Sequence, residues 1–289
     1  MNFFRVFFFI SSCWVLTCVS HAKIITVESF GSIPELLYLP LGNKQEFLYI
    51  FDIDETLITY KDLALREHNR ESTEGKKLQA YFNANCKKPN DSQYGQYIWS
   101  QIFIQAHKVL IEPRVKDIIS NLQKNKLPVI ALTRLLTGEY GVIPNLQDWR
   151  YSQLLSFGID FSKSSPLNKV ALKELKSKKI SSPVLYKGIL FTDSYSKKET
   201  LQVFLNKFEQ VKGFLPKKII YIDDTLSYLE DVQTLCRSLG IKFVGYHYLG
   251  SQSLPGEFNI ELAKEQINHL LLYESWISDA QTHSLLQKL

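Results

Sequence analysis

The most constraining feature of the chain is the stretch FLYIFDIDETLITY, residues 47–60, in which an apolar run meets two aspartates one residue apart. The segment from Phe47 to Ile53 is apolar without alternation, which is typical of a strand covered on both faces of a sheet. Asp52 and Asp54 stand at its end, where carboxylates are costly to desolvate unless a positive group meets them. The stretch therefore predicts a buried strand that delivers acidic groups to a charged site.

Four later apolar runs, LPVIALT, VLYKGILFT, KKIIYIDD and IKFVGYHY, are predicted strands, and helical patterns separate them. The second run is either one strand or a hairpin that turns at Lys187-Gly188. This alternation predicts an α/β fold with a Rossmann-like, doubly wound parallel sheet. Ligands of such sheets bind beyond the carboxyl ends of the strands. Polar residues end three of the predicted strands at that edge: Asp52, Asp54, Thr133, Asp223 and Asp224.

Residues 60–112 have a helical, polar and aromatic pattern that differs from the flanking segments. We interpret them as a helical insertion in an α/β core formed by residues 23–59 and 113–289. Its aromatic residues either form the insertion's own core or contact a substrate. These residues are Tyr94, Tyr97, Trp99 and Phe103.

Residues 1–22 have the pattern of a signal peptide, with Arg5, an apolar run and the small-x-small ending Ser20-His21-Ala22. An uncleaved anchor, a buried first helix and a lipoprotein cleavage box are the alternatives, but the run is shorter than the roughly 20 residues of a membrane span. We expect a mature chain that begins at Lys23, has no stable membrane span, and is exported to a bacterial periplasm or secreted.

The charge pattern argues against a nucleic-acid-binding protein, and the cysteines and histidines argue against a metal site built from them. The 34 Lys and Arg residues and 29 Asp and Glu residues are scattered, so no nucleic-acid partner is predicted. Cys86 and Cys236 would remain after signal cleavage, either as a pair or as lone buried thiols. Neither cysteine has a companion at metal-ligand spacing, and the histidines form no metal motif. The sequence does not indicate an oligomeric state.

The carboxylates at the predicted sheet edge require a cation. Gathered together, they would raise each other's pKa values unless a metal ion joined them. Magnesium prefers hard oxygen ligands. We therefore predict a Mg²⁺ site at Asp52, Asp54, Asp223 and Asp224, in which one of the first two aspartates ligates through its carbonyl.

The segment FDIDETL resembles the first motif of the haloacid dehalogenase-like (HAD) phosphatase superfamily. Thr133 at the end of PVIALT resembles the second motif, Lys197 or Lys198 at a helix start resembles the third, and YIDD resembles the fourth. The motifs span residues 47–246 in the order found in that superfamily. The resemblance implies a HAD-type core, and it implies that the insertion at residues 60–112 is a cap over the site.

The resemblance also implies a role for each matching residue. Asp52 would attack phosphorus and form an aspartyl phosphate, and Asp54, with a pKa raised by its acidic neighbours, would protonate the leaving oxygen. Thr133 would hydrogen-bond a phosphoryl oxygen, and Lys197 would neutralise charge on the transferred group. Asp224 is the first choice for the side-chain metal ligand of the fourth motif, with Asp223 in support.

Two positions depart from the superfamily pattern. Lys198 stands where relatives carry a small residue, and Tyr228 stands where they often carry an acid or Asn, a role that Glu230 or Asp231 would have to fill. Three of the candidate site residues also have a purely structural interpretation. Asp54 would be a helix N-cap, Thr133 a turn hydroxyl, and Lys197 part of a solvated first turn.

The expected function is that of an exported, magnesium-dependent, acid-phosphatase-like phosphomonoesterase acting on a small-molecule or protein phosphomonoester. The alternative is a secreted HAD-fold binding or effector protein with little or no turnover, which the two departures favour.

Overall fold

A computed structural model of the chain describes residues 22–88, 90–175 and 182–288. The predicted signal peptide lies outside these residues, apart from Ala22. Within the described part of the chain, no helix combines the length and the apolar character needed to cross a membrane.

The strands and helices alternate along the chain. The strands are β1 (Lys23–Val27), β2 (Phe47–Phe51), β3 (Ile58–Tyr60), β4 (Lys108–Leu110), β5 (Val129–Thr133), β6 (Val170–Ala171), β7 (Val184–Tyr186), β8 (Ile189–Phe191), β9 (Lys218–Asp223) and β10 (Lys242–Tyr248). The helices are α1 (Pro34–Leu37), α2 (Glu67–Glu71), α3 (Thr73–Asn85), α4 (Ser92–Gln105), α5 (Val115–Lys124), α6 (Leu146–Ser156), α7 (Lys197–Lys212), α8 (Leu226–Ser238), α9 (Ile260–Tyr273) and α10 (Asp279–Leu286).

The main sheet has the strand order β1-β10-β9-β2-β5-β8-β7-β6. The strands from β1 to β8 in this order are parallel, and β7 and β6 add an antiparallel edge. The predicted α/β class with a mostly parallel central sheet is therefore confirmed. The segment VLYKGILFT forms the hairpin β7–β8, and Lys187 and Gly188 have φ angles of 49° and 77°, as a two-residue hairpin turn requires.

Both faces of the sheet are covered, which explains why its central strands are apolar without alternation. In β2, Tyr49 and Phe51 pack in a core with α5 and α6, whereas Leu48 and Ile50 pack in a second core with α7 and α8. Successive side chains of a strand point to opposite faces. Both faces of β2 must therefore be apolar.

A third core, which we call the distal helix cluster, is formed by α3, α4 and α9 with the segments next to them, and α2 and α10 pack against α3 and α9. Leu78, Ile98 and Ile102 of the predicted insertion pack there with Ile267 and Leu270 of α9. The C-terminal helices therefore complete the core that the insertion begins. The antiparallel pair β3–β4 connects this cluster with the main sheet.

The two cysteines in the described residues are free and buried. Cys86 lies in the distal helix cluster, and Cys236 lies in the core under α7 and α8. They belong to separate cores, so the alternative of a disulfide between them is wrong and the reading of Cys236 as a lone buried thiol is confirmed.

Candidate active site

Asp52 and Asp223 lie side by side because their strands are neighbours in the parallel sheet. Phe51 of β2 pairs with Ile222 of β9, and the backbone N–H of Asp52 donates to the carbonyl of Ile222 at 2.9 Å. The next strand in the chain after β2 that joins the main sheet, β5, lies on the opposite side of β2. The strand order thus switches at β2, and the acids occupy the crevice where ligands of such sheets bind.

Lys197 joins the two aspartates. Its ammonium nitrogen lies 2.5 Å from Asp52 Oδ1 and 2.6 Å from Asp223 Oδ2. Ser196 and Glu199 form a capping box that fixes the start of α7, so the first residue of the helix points into the site. Burial lowers the pKa of Lys197, but Asp223 and Asp52 outweigh it and raise the pKa above its usual range.

The structure distinguishes the two lysines that were candidates for the third motif. Lys197 is buried, with 2% of its surface exposed, so the solvated-turn reading of this residue is wrong. Lys198 is half-buried and makes none of these contacts. The side chain that meets the carboxylates is therefore the one favoured from the sequence.

Asp223 is held by donors from its own strand and turn. The hydroxyl of Tyr221 donates to Asp223 Oδ2, and the backbone N–H of Thr225 donates to Oδ1 at 2.9 Å. Tyr221 stands two residues before Asp223, on the same face of β9. Asp223 thus has a fixed orientation toward Lys197 and Asp52.

Asp52, Asp223 and Asp224 form a group able to hold a metal ion, with one carboxylate oxygen of each within 4.8 Å of the others. Burial raises the pKa of Asp52 to about 8 despite Lys197, and it raises the pKa of Asp224 to about 9, with the charges of Asp52 and Asp223 adding to the rise. Among the described residues, no hydrogen-bond donor pairs with Asp224. A hard divalent cation fits this all-oxygen set because it relieves the repulsion that raises these pKa values.

Asp54 is not part of that group and has its own pair of cations. Arg150 Nη2 and Nη1 donate to Asp54 Oδ2 and Oδ1 at 2.8 and 3.1 Å, and the ammonium group of Lys108 donates to Oδ1. Partial burial raises the pKa of Asp54, but Arg150 and Lys108 outweigh it and hold the pKa below its usual range. The expectation of a raised pKa at Asp54 is therefore wrong, because two cations, and not only acids, surround it.

The chain after Asp54 turns back on itself and does not start a helix. Residues 55–57 form a turn that leads directly into β3. Glu55 has a φ of 59°, its N–H donates to the Ile58 carbonyl at 2.8 Å, and its carboxylate accepts from the Thr59 hydroxyl at 2.7 Å. The N-cap reading of Asp54 is thus wrong, and Glu55 stabilises the turn that orients Asp54.

Thr133 ends β5 on the other side of β2. The pairing of Phe51 with Ala131 brings Thr133 to the same sheet edge as the aspartates, and Thr133 is buried. Its carbonyl accepts from the Thr192 backbone N–H at 3.0 Å, which leaves the hydroxyl as the polar group that it can offer to a ligand.

The fourth-motif departure at Tyr228 places an aromatic ring beside the lysine. Lys197 Nζ lies 4.8 Å from the centre of the Tyr228 ring, and the Tyr228 hydroxyl accepts from Arg134 at 2.7 Å. Glu230 and Asp231 are exposed on α8. They therefore do not take the place of the acid or Asn found in the resembling superfamily.

A cavity of about 280 Å³, which we call the Asp54 cavity, lies between Asp54 and the distal helix cluster. Trp99 and Phe103 line it, and the Phe103 ring stacks on Tyr140 and Trp149 with centroid distances of 5.6 and 5.2 Å. Tyr94, Tyr97 and Trp99 pack against the distal helix cluster. Three of the four aromatic residues thus contribute to the core of the insertion, and contact of Trp99 and Phe103 with a substrate stays a prediction.

Sequence reasoning missed Arg150, Lys108 and Tyr221. One signal was available for Arg150: it stands between Leu146 and Leu154 on the buried face of α6, at the four-residue spacing that otherwise predicts an apolar residue. Lys108 has no such signal, since only the pairing of β3 with β4 brings it beside Asp54.

Comparison with known proteins relates the chain to one family and to several rickettsial proteins. A family model described as "Protein of unknown function (DUF2608)" matches residues 31–283. An uncharacterized protein of Rickettsia prowazekii is 25% identical over 96% of both chains. One from Rickettsia typhi is 29% identical over 93% of this chain and 90% of its own, and one from Rickettsia felis is 35% identical over 57% and 55%. No solved structure matches the chain.

Proposed function

We propose that this chain, which belongs to the DUF2608 family, is an exported, magnesium-dependent phosphomonoesterase with a HAD-type core, in which the distal helix cluster serves as the cap. The observation that carries the proposal is the contact of Lys197 with both Asp52 and Asp223 at 2.5 and 2.6 Å. Residues from four separate stretches of sequence meet at one sheet edge, in the order expected from the motifs. This contact supports the proposal, because catalysis would need the proposed nucleophile, its cation and the proposed metal-binding acid within contact distance.

Asp52 is the proposed nucleophile. One oxygen binds Lys197, and the strand backbone fixes the carboxylate at the bottom of the crevice. Attack on phosphorus would form a P–O bond to Asp52 and break the P–O bond to the leaving group, and water would then hydrolyse the aspartyl phosphate. Lys197 and the Thr133 hydroxyl would hold phosphoryl oxygens during both steps.

Mg²⁺ bound by Asp52, Asp224 and the Asp54 carbonyl, with Asp223 in support, would neutralise the carboxylates and the charge on the transferred group. Asp54 faces the Asp54 cavity, where the leaving group would lie, and is the proposed acid and base. Arg150 and Lys108 must loosen their contacts with Asp54 before it takes up a proton.

The test is hydrolysis of p-nitrophenyl phosphate in magnesium by the purified protein. Asp52→Asn should lower kcat by a factor on the order of 10⁴, since the nucleophile is lost. Asp231→Asn, a change at an exposed acid on α8, is the matched control and should keep the original rate. Equal rates in Asp52→Asn and the unmodified protein would overturn the proposal.

The second candidate is an exported binding or effector protein that retains the phosphate site but turns over little. The specific observation in its favour is the double cation contact of Asp54, which opposes protonation of the proposed acid. Binding of vanadate or fluoroberyllate, together with no hydrolysis across a broad panel of phosphomonoesters, would favour this candidate over the first.

A further inference from the structure

A second cavity of about 190 Å³ lies inside the distal helix cluster. Apolar side chains from three helices line it: Leu78 and Phe82 of α3, Ile98 and Ile102 of α4, and Ile267 and Leu270 of α9. Arg70, Lys76 and Gln79 also line this cavity, which is partly open to solvent. An apolar cavity of about 150 Å³ binds benzene, so this one has room for an apolar group of at least that size.

This apolar cavity shares a wall with the Asp54 cavity. Leu65, Arg70 and Trp99 line both. The guanidinium of Arg70 lies 5.8 Å from the centre of the Trp99 ring and 3.9 Å from the nearest oxygen of Glu67, and 43% of the Arg70 side chain is exposed. Among the described residues, Arg70 forms one ion pair, at 3.9 Å. The wall therefore includes a long, partly exposed side chain that can move aside at low cost.

One of the two cavities is charged and the other is mainly apolar, so the pair matches the polar and apolar ends of an amphiphile. The Asp54 cavity carries charged groups, among them Asp54, Lys108 and Arg150, and Asp54 stands two residues after the proposed nucleophile. The neighbouring cavity is lined mainly by carbon atoms from Leu, Ile, Phe and Trp side chains. A ligand with its phosphate at Lys197 and its leaving group at Asp54 would extend past Arg70 and Trp99 into apolar surroundings.

We propose that the substrate is a phosphomonoester whose leaving group carries an apolar alkyl or aryl body, and that this body occupies the cavity between α3, α4 and α9. The inference rests on the proposed phosphate site. It adds the chemical class of the leaving group, which the motif residues do not specify. The distal helix cluster would then select substrates by burying the apolar body.

The test compares methyl-, hexyl- and benzylphosphonate, which are not hydrolysed, in calorimetric titrations of the purified protein with magnesium. Each buried methylene contributes about three- to fourfold in affinity, so hexylphosphonate, with five more methylenes, should bind roughly 200- to 1,000-fold more tightly than methylphosphonate. A larger gain for the hexyl or for the benzyl compound distinguishes a flexible chain from a flat ring. Equal affinity for all three compounds would overturn the proposal.

Two variants of α9 locate the apolar body. Leu270→Trp fills the cavity and should abolish the gain for the longer ligand, whereas Leu272→Trp, at a position that is 66% exposed, should retain it. Full retention of the gain by folded Leu270→Trp would contradict the proposal. If Leu270→Trp does not fold, the chain-length comparison on the unmodified protein decides.

Rates separate this inference from the proposed activity. A chain-length gain in binding without any hydrolysis would leave the apolar subsite standing and refute the phosphatase. Hydrolysis of ethyl, butyl and hexyl phosphate with the same kcat/KM would support the phosphatase and refute the apolar subsite.

Discussion

Arg150 donates two hydrogen bonds, of 2.8 and 3.1 Å, to the carboxylate of Asp54, although the two residues are 96 positions apart in the chain. Arg150 lies on the inner face of α6 and is almost fully buried, so its charge needs this partner. Lys108 adds a second buried cation on the same carboxylate. The proposed acid of the site is therefore also the counter-ion of two residues that no motif includes.

This arrangement predicts a stability that depends on pH. The folded-state pKa of Asp54 is depressed, so its stabilising contribution is present above the unfolded pKa of about 3.9 and is lost as pH falls through the folded value. Asp54→Asn should lower the free energy of unfolding at pH 7 by about 1–3 kcal/mol, between the values for exposed and buried pairs, because the carboxylate is 37% exposed. Urea titrations at pH 7 and pH 3 measure this loss in the free energy of unfolding.

The deficit of Asp54→Asn should shrink at pH 3, because this pH lies below the unfolded pKa of about 3.9 and the unfolded parent chain then takes up a proton at Asp54 that the folded protein does not. Asp231→Asn, at an exposed acid, should show no comparable deficit at either pH. A deficit that grows as the pH falls would contradict the assigned direction of the pKa shift.

The adjacent lysines of the third motif offer a matched pair of variants. Lys197→Met leaves Asp52 and Asp223 buried beside each other without their cation, and should cost about 3–5 kcal/mol in the absence of metal. Lys198→Met should change stability by no more than about 0.5 kcal/mol, as is usual for surface sites. Urea unfolding of both variants checks this, and equal losses would show that Lys197 does not hold the two acids together.

Magnesium should stabilise the protein through Asp52 and Asp224. A ligand at 100 times its Kd adds about 2.7 kcal/mol to the free energy of unfolding. The unfolding temperature should therefore rise with Mg²⁺, and Asp224→Asn should weaken this rise while costing little without metal, because it removes a carboxylate that repels its neighbours. The same rise in Asp224→Asn as in the parent protein would exclude Asp224 as a metal ligand.

The buried thiols should be inert in the native state. Burial raises the pKa of Cys236 to about 12, and the thiolate is the reactive form. A folded chain lacking residues 1–22 should therefore react slowly with a thiol reagent at pH 8. In urea without a reductant, the same chain should react with two equivalents of the reagent, since Cys86 is buried and free as well. Fewer than two thiols in urea would indicate a disulfide that the structure does not contain.

The parts of this architecture that sequence predicted are those that local pattern determines. Apolar runs ending on Asp52, Thr133 and Asp223 identified β2, β5 and β9 and the edge where their ends meet, because a strand buried on both faces must be apolar throughout. Lys197 was distinguishable only by its place in a motif, and its capping box is what aims it inward.

The features that sequence did not predict depend on contacts between distant segments. Arg150 and Lys108 reach Asp54 from α6 and β4, and these contacts reverse the expected direction of the Asp54 pKa shift. The helix α9 completes a core begun almost 200 residues earlier, which its own amphipathic pattern does not reveal. The domain limits at residues 60 and 112 stay a prediction.

Trapping of the phosphorylated enzyme tests the central claim most directly. Protein mixed with a phosphomonoester and magnesium, quenched in acid within one turnover and treated with borohydride, should carry the reductive modification of an acyl phosphate at Asp52. Asp52→Asn should carry none, and Lys198→Met should be labelled like the parent protein. Turnover without a modification at Asp52, or with the modification on another residue, would contradict the assignment of Asp52 as the nucleophile.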